Sequence, residues 1–151
     1  MSAPRVTSLQ LEYPGDGLHY LDGEPFTGVL EFRRPGGGLE GEEEYRDGLL
    51  SGRRRCWYDS DQLQEEAECA WGAYHGQVRT WHESGRLASH RVYAYGIQLE
   101  GREWDEAGEQ AGEYHIPDTE LSLVESYRAA FEGGERAEPG AAADRGLHSD
   151  S

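Results

Sequence analysis

Eight glycines form four pairs along the middle of the chain, and the spacing of these pairs is nearly constant. The pairs are Gly23–Gly28, Gly48–Gly52, Gly72–Gly76 and Gly96–Gly101. Their first members lie 25, 24 and 24 residues apart, and their second members lie 24, 24 and 25 residues apart. A fixed period of this length indicates a repeat architecture in which each unit stacks on its neighbours. Because glycine adopts positive φ without steric cost, each pair predicts a turn around the short link between its members.

Other positions repeat in step with the glycines. Large aromatic residues stand three to five positions after the second glycine of each pair: Phe32, Trp57, Trp81 and Trp104. Leucines stand eleven positions after it in the first three units: Leu39, Leu63 and Leu87. A further turn signal separates the aromatic residue from the leucine, so each unit reads strand, turn, strand, turn. One hairpin cannot bury its apolar face alone, and we therefore expect four stacked hairpins whose aromatic and leucine positions form ladders.

An amphipathic helix is predicted after the repeats. Pro117–Thr119 is a helix-start signal. The apolar residues that follow recur every three or four positions: Leu121, Val124, Tyr127 and Phe131. This spacing predicts one helix over about residues 119–132. We expect the helix to cover the outer edge of the last strand, since an open sheet edge invites aggregation; clamping a partner is the alternative role.

These signals divide the chain into four segments. We expect an N-terminal strand and turn at 1–17, four hairpin repeats at 18–115, a capping helix at 116–133 and a tail at 134–151. The tail has almost no large apolar residues and is predicted to be disordered. The expected fold is therefore mainly β, with stacked antiparallel hairpins in an elongated repeat sheet and one C-terminal amphipathic helix.

The charge balance restricts the partners of this chain. Acidic residues outnumber basic ones by 30 to 14, which gives a formal charge of −16. Such a chain repels nucleic-acid backbones and anionic lipid surfaces and attracts basic surfaces. No stretch is apolar over the roughly 18 residues that a membrane helix needs, and the first residues do not resemble a secretory signal. We expect a cytoplasmic protein that binds neither nucleic acid nor membrane; solubility alone is the alternative explanation of the charge.

The acidic residues concentrate at equivalent positions of the second and third units. Stacking is expected to align them as one acidic stripe, partly neutralised by Arg53, Arg54 and Arg55 on the strand between them. A solvated face without a partner is the alternative interpretation. The candidate partner-binding residues are Glu40, Glu42, Glu43, Glu44, Asp59, Asp61, Glu65, Glu66 and Glu68.

No pattern in the sequence indicates catalysis. The six histidines form no zinc spacing, and the serines lack the G-x-S-x-G context of a nucleophile. The glycine run at 36–38 is not followed by the helix and lysine of a phosphate-binding loop. We expect no catalytic residue, no metal and no cofactor.

The two cysteines, Cys56 and Cys69, are predicted to be free thiols. Disulfide scaffolds normally use several pairs in a small secreted chain. A bridge between neighbouring strands is the alternative. The three arginines that precede Cys56 favour a lowered thiol pKa, whereas burial favours an inert thiol.

The repeated elements resemble the MORN-repeat variant family, which includes bacterial proteins labelled toxin–antitoxin system YwqK-family antitoxins. The family unit contains an Asp-Gly turn, a second glycine, an aromatic pair and a later leucine. Similar residues in the second unit are Asp47-Gly48, Gly52, Trp57-Tyr58 and Leu63. The third unit departs at Trp71, which replaces the usual polar residue before the glycine, and the fourth unit has a longer link at 97–100. The resemblance covers roughly residues 18–115 and implies a β-hairpin array without catalytic residues.

The resemblance also implies a function. It suggests an immunity protein or antitoxin that binds and blocks a cognate toxin domain. The acidic charge favours a basic toxin, because complementary charge accelerates association. A general interaction scaffold of the MORN type, associated with membranes, is the alternative, although the acidic balance opposes binding to anionic lipids. An enzyme of unrecognised type is a third hypothesis, and no motif supports it.

Overall fold

The computed structural model describes residues 4–133, which form a long β-sheet followed by a helix. The strands are β1 (Arg5–Thr7), β2 (Tyr20–Leu21), β3 (Glu24–Pro25), β4 (Gly28–Arg33), β5 (Leu39–Arg46), β6 (Leu49–Trp57), β7 (Leu63–Ala70), β8 (Ala73–Trp81), β9 (Leu87–Ala94), β10 (Ile97–Trp104) and β11 (Gln110–His115). Helix α1 spans Leu121–Glu132 and follows a 3-10 turn at Asp118–Glu120. The fold is mainly β with stacked hairpins and a C-terminal helix, so the fold prediction is confirmed.

Nine strands form the main sheet in the order β1-β4-β5-β6-β7-β8-β9-β10-β11. Neighbours from β4 to β11 pair antiparallel, whereas β1 pairs in parallel with β4. Strands β2 and β3 form a separate two-stranded hairpin. From β4 onwards each strand pairs with its sequence neighbours, as a stack of hairpins requires. The predicted disordered tail at 134–151 lies outside the described residues.

Two kinds of turn alternate at opposite ends of the strands. At the end that we call the I′ end, two-residue turns have positive φ at both positions, the type I′ geometry that matches strand twist. The turns of this kind are Asp22-Gly23, Asp47-Gly48, Trp71-Gly72 and Tyr95-Gly96. At the other end, which we call the loop end, three-residue loops finish in a residue with positive φ: Gly37, Asp61, Gly85 and Gly108.

In the last three pairs, the short links between the glycines belong to strands and not to turns; in the first pair, Glu24–Pro25 is a strand. Residues 49–51 begin β6, 73–75 begin β8 and 97–100 lie in β10. The predicted turn around each link is therefore wrong, because a type I′ turn needs only two residues and the chain is extended directly after it. The second glycines instead make room within strands. A Cβ at Gly52 would lie 2.6 Å from the Oε1 atom of Glu44.

The large aromatic residues do not form one ladder. Trp57 lies opposite Leu63. Phe32 lies opposite Gly41, and Gly41 lies opposite Cys56. Phe32 therefore corresponds to Cys56 and points to the opposite face from Trp57, because neighbouring positions on a strand alternate between faces. The ladder prediction is wrong at Phe32, where the spacing from the second glycine is one residue shorter than in the next two units.

Within residues 4–133, the single-layer sheet carries two small buried clusters. The first lies near the N-terminal strands and contains Val6, Phe26, Leu30 and Tyr45. The second lies at the centre and contains Ala67, Cys69, Val78 and Tyr93. A single-layer sheet has no second layer of structure to cover its faces. Its stability therefore depends on contacts between side chains on neighbouring strands.

Hydrogen bonds between consecutive units repeat with the period of the sequence. At the I′ end the turn glycines donate to carbonyls of the preceding unit: Gly48 to Phe26, Gly72 to Leu50 and Gly96 to Tyr74, at 2.8–2.9 Å. At the loop end side chains donate to carbonyls of the following unit: Arg34 to Trp57 at 2.8 Å, Tyr58 to Trp81 at 2.7 Å and His82 to Trp104 at 2.9 Å. Each unit is thus fixed on the next at both ends of the strands.

Helix α1 packs on the I′ end of the sheet. Phe131 is 5% exposed, and its ring lies 5.7 Å from the ring of Tyr95 and 5.8 Å from that of Trp71. The Tyr95 hydroxyl donates a hydrogen bond to the carboxylate of Glu132. Most residues of β11 remain exposed. The prediction that the helix covers the last strand is therefore wrong, since the aromatic residues at two I′ turns offer Phe131 an apolar surface that β11 lacks.

Candidate partner-binding site

The structure separates the predicted acidic residues onto two faces. Glu43 lies opposite Arg54, and Glu42 lies opposite Arg55 on β6. Since neighbouring positions on a strand point to opposite faces, Glu42 and Glu43 cannot belong to one row. The single acidic stripe predicted from the sequence is therefore wrong. The acids form two rows, and each row has an arginine between its members.

Arg54 lies at the centre of a half-buried ionic cluster. Its Nε donates to Glu43 at 2.9 Å, and its Nη1 donates to Glu65 and, at 3.1 Å, to the hydroxyl oxygen of Tyr74. The Tyr74 hydroxyl donates to Glu65 at 2.9 Å, and the Tyr45 hydroxyl donates to Glu43 at 3.1 Å. Burial, followed by the nearby carboxylates, raises the pKa of both tyrosines. Glu43 and Glu65 are thus engaged within the protein.

Arg55 occupies the equivalent place on the other face. Its Nη2 donates to Glu42 at 2.8 Å, and its Nη1 lies 4.0 Å from Glu66. Arg5 on β1 also contacts Glu42, at 2.5 Å. The Arg55 guanidinium lies 6.0 Å from the ring centroid of Trp57. Its Nε is buried without a hydrogen-bond partner in the described range.

Glu44 and Glu68 have the same structural role one period apart. Each lies at a bulge and accepts a backbone N–H from the next strand, from Arg53 at 2.5 Å and from Gln77 at 2.7 Å. A buried or bulged backbone donor without a partner is costly, so these carboxylates stabilise the two hairpins. Their periodic recurrence in the sequence reflects this contact.

The remaining predicted residues lie toward the loop end. Asp59 accepts a hydrogen bond from the Nε of Arg34 at 3.1 Å, although its side chain is 96% exposed. Asp61 lies 3.7 Å from the same guanidinium. Glu40 is exposed near the start of β5. These three carboxylates face solvent and are accessible to a partner.

A cleft of about 490 Å³ lies beside β5 and β6 at the loop end, and we call it the acidic cleft. Its lining includes five carboxylates, those of Glu40, Glu42, Glu43, Asp59 and Glu83. The two guanidiniums in the lining, of Arg54 and Arg55, already pair with Glu43 and Glu42. The carboxylates of the lining therefore outnumber its guanidiniums, and the exposed carboxylates lie at the rim.

The sequence missed Glu83, because its ESG segment reads only as a turn. The repeat period could have identified Glu83, because Glu83 stands 24 residues after Asp59 and stacking brings successive loops together. Four of the nine predicted residues line the acidic cleft. The other five, Glu44, Asp61, Glu65, Glu66 and Glu68, do not line it.

The chemistry of the acidic cleft suits a cationic side chain. A guanidinium or ammonium group donates strong charge-assisted hydrogen bonds, and carboxylates accept them. Phe32, Trp57 and Tyr58 add aromatic rings to the lining. Rings beside carboxylates allow cation–π contacts in addition to ion pairs.

Burial raises the pKa of both thiols, which reduces the fraction present as thiolate. Burial, followed by Glu65, raises the pKa of the Cys56 thiol, which agrees with the interpretation as a half-buried thiol and not with lowering by the arginine neighbours. Burial raises the pKa of Cys69 to about 12. Both thiols are free. Cys69 lies opposite Gly52, so the two cysteines are four positions apart along paired strands, roughly 13 Å, beyond disulfide reach.

Two histidines of the described residues form hydrogen bonds with backbone groups of the next unit. His75 Nδ1 accepts the N–H of Tyr95 at 3.0 Å, and His82 bonds to a carbonyl of the next unit. Residues 4–133 contain no group of three or more His, Cys, Asp or Glu side chains placed to hold a metal ion. Over the same range, no helix is long and apolar enough to cross a membrane.

Comparison with known proteins gives no family assignment. A scan against protein-family models finds no match for this chain, and a search of curated proteins finds no match either. The MORN resemblance stays a prediction from the sequence.

Proposed function

We propose that this protein is a non-catalytic immunity protein or antitoxin that binds a basic toxin domain through the acidic cleft and blocks it. The observation that carries the proposal is the excess of carboxylates in a cleft on a chain of formal charge −16. Glu40, Asp59 and Glu83 at the rim contact the partner's cations. Glu42 pairs with Arg55 on one face of the sheet, and Glu43 pairs with Arg54 on the other face.

The repeated hydrogen bonds make the cleft a preformed surface. Tyr58 lines the cleft and donates to the Trp81 carbonyl, so the loop that carries Asp59 is tied to the following unit. A preorganised surface loses less conformational entropy on binding, which leaves more of the contact energy for affinity. The proposed binding therefore needs no large rearrangement of the sheet.

Charge explains why a toxin that acts on nucleic acid is the favoured partner. Proteins that bind nucleic-acid backbones present basic clefts to phosphates. An acidic inhibitor is steered to such a cleft and associates faster at low salt. The proposed compartment is the cytoplasm, where the two free thiols stay reduced.

A general interaction scaffold is the second candidate function. A separate cleft of about 620 Å³ at the I′ end favours it, with a lining that includes Leu18, Leu49 and Trp71. Association of such a scaffold with anionic membranes is opposed by the charge. Flotation with anionic vesicles is expected to leave the protein unbound; recovery of the protein with the vesicles would favour the scaffold.

The proposed function is tested with the protein encoded by the neighbouring gene. The two proteins are mixed and separated by size-exclusion chromatography at low salt and again at high salt. We expect a complex at low salt that weakens as salt rises, because the contact is electrostatic. Two separate peaks at low salt would overturn the proposal.

A further inference from the structure

Among residues 4–133, no strand pairs with the outer edge of β11. Within the described residues β11 pairs only with β10. Five of its six residues are exposed, and α1 packs on the I′ end instead. The strand contains neither proline nor lysine, the residues that commonly protect sheet edges from pairing. The described residues therefore leave this edge of the sheet available for strand pairing.

Alternate residues of β11 direct their backbone groups to the open side. The Ile116 N–H donates to the carbonyl of Leu99, the residue directly opposite in this register, at 2.8 Å. Hydrogen-bonded and non-bonded pairs alternate along an antiparallel ladder. Tyr114, two positions earlier, therefore also bonds to β10. The N–H and C=O groups of Glu113 and His115 point outward.

One register makes β11 complementary to itself. When Tyr114 lies opposite Tyr114 of a second copy, Glu113 of each copy lies opposite His115 of the other. The outward N–H and C=O groups of these residues then meet, which allows about four N–H···O bonds around a twofold axis. The carboxylate–imidazole pairs fall on one face and the two tyrosine rings on the other. Tyr114 is 42% exposed, so its ring is accessible.

We propose that two copies of this chain associate through antiparallel pairing of β11, so that one sheet continues through both copies. The contact uses one strand from each copy and is therefore small and weak. The formal charge of −16 on each copy opposes association, and salt screens this repulsion. The acidic cleft lies beside β5 and β6, five strands from β11, and stays open in the dimer.

The mass of the full chain in solution gives the first test. Sedimentation equilibrium over rising protein concentration is expected to show a shift from one chain to two, with tighter association at high salt than at low salt. A mass of one chain at every concentration and salt level would overturn the proposal. A mass that grows beyond two chains would also overturn it, because a twofold contact closes at the dimer.

The register is tested by cross-linking. Tyr114→Cys, in a Cys56→Ala background, places two thiols at a non-hydrogen-bonded pair with Cα atoms about 4.5 Å apart, within disulfide reach. We expect a disulfide-linked dimer under mild oxidation. The matched variant Glu113→Cys places each thiol opposite His115 and should link far less. Equal linking of both variants, or linking of Glu113→Cys alone, would refute this register.

The role of the backbone is tested at the same strand. Glu113→Pro removes an outward N–H, and an edge strand tolerates proline when that group faces solvent. Glu113→Gln removes the same charge and keeps the N–H. We expect the dimer to disappear in Glu113→Pro and to weaken in Glu113→Gln, while thermal unfolding of both variants confirms a folded monomer. Undiminished dimerisation of folded Glu113→Pro would contradict the pairing.

Discussion

Trp71 and Tyr95 adopt a left-handed backbone conformation that bulky residues rarely take. Both have φ of 54°, and the equivalent positions in the first two units hold Asp22 and Asp47. Aspartate tolerates this conformation because its short side chain can hydrogen-bond locally. At the two aromatic positions the strain is offset by ring contacts with each other, 5.5 Å apart, and with Phe131. These residues keep the turn geometry of the repeat and also hold the helix.

The hydrogen bond from the Tyr58 hydroxyl to the next unit is predicted to stabilise the fold. Tyr58→Phe removes the hydroxyl that donates to the Trp81 carbonyl at 2.7 Å. We expect a loss of about 1 kcal/mol in the free energy of unfolding, or roughly 2–4 °C in Tm. Thermal unfolding measures it. Tyr114→Phe is the control, since Tyr114 is 42% exposed; equal shifts in both variants would refute the inter-unit bond as the cause.

The pKa of Cys69 predicts a loss of stability in alkali. Burial raises this pKa from 9.0 to about 12 in the folded protein. The thiol therefore ionises earlier in the unfolded chain, and the free energy of unfolding should fall as pH rises from 9 to 12. Tyr45 and Tyr74, whose pKa values are also raised, act in the same direction.

Urea unfolding at increasing pH measures this dependence. Below pH 9 the Cys69 thiol is neutral in both states and contributes no slope. The variant Cys69→Ala should show a shallower decline above pH 9 than the parent chain. A parent profile that stays flat above pH 9, or an unchanged slope in the variant, would contradict the assignment.

Among the elements, α1 is held mainly by its C-terminal turn. Phe131 is buried in the aromatic group, whereas Leu121 and Leu123 are 46% and 45% exposed. The Tyr95–Glu132 hydrogen bond lies at the same end. A short helix depends on tertiary packing for its stability. We therefore expect the whole helix to open when this single contact is removed.

Hydrogen exchange of the helix tests that expectation. Phe131→Ala should cost about 3–5 kcal/mol of packing and speed amide exchange across 121–132, while exchange in β5–β8 stays slow. Leu123→Ala, in the exposed part of the same helix, should leave the exchange rates close to those of the parent. Uniform acceleration in the sheet and the helix would mean that α1 is part of the global fold and not a separately docked element.

The glycine period predicted the hairpin stack, and the apolar spacing after residue 117 predicted the helix, because turns and apolar spacing are local properties of a sequence. The period could not decide which glycine of each pair forms the turn, since Gly48 and Gly52 both have positive φ. It misaligned Phe32 because a one-residue difference in spacing exchanges the two faces of a strand. Strand register places Glu42 and Glu43 on opposite faces and brings Glu83 into the cleft. Composition does not specify this register.

At the scale of the whole molecule, the repeat supplies a frame and the non-repeating residues supply the surface. The frame uses inter-unit hydrogen bonds at both ends of the strands. The acidic cleft arises where two loops of the frame bring Asp59 and Glu83 beside Glu40. A formal charge of −16 attracts basic surfaces toward the molecule as a whole. The proposed function assigns the specific contact to the acidic cleft.

The most direct measurement separates the cleft from the overall charge. Titration calorimetry of the basic partner is performed with the triple variant Glu40→Gln, Asp59→Asn and Glu83→Gln. The control is Glu24→Gln, Glu109→Gln and Glu120→Gln, which changes the net charge equally at exposed sites outside the cleft. We predict that the cleft variant weakens binding at least about tenfold, or roughly 1.4 kcal/mol, while the control stays near the parent affinity. Equal losses in both variants, or no loss in the cleft variant, would contradict a partner-binding role for the acidic cleft.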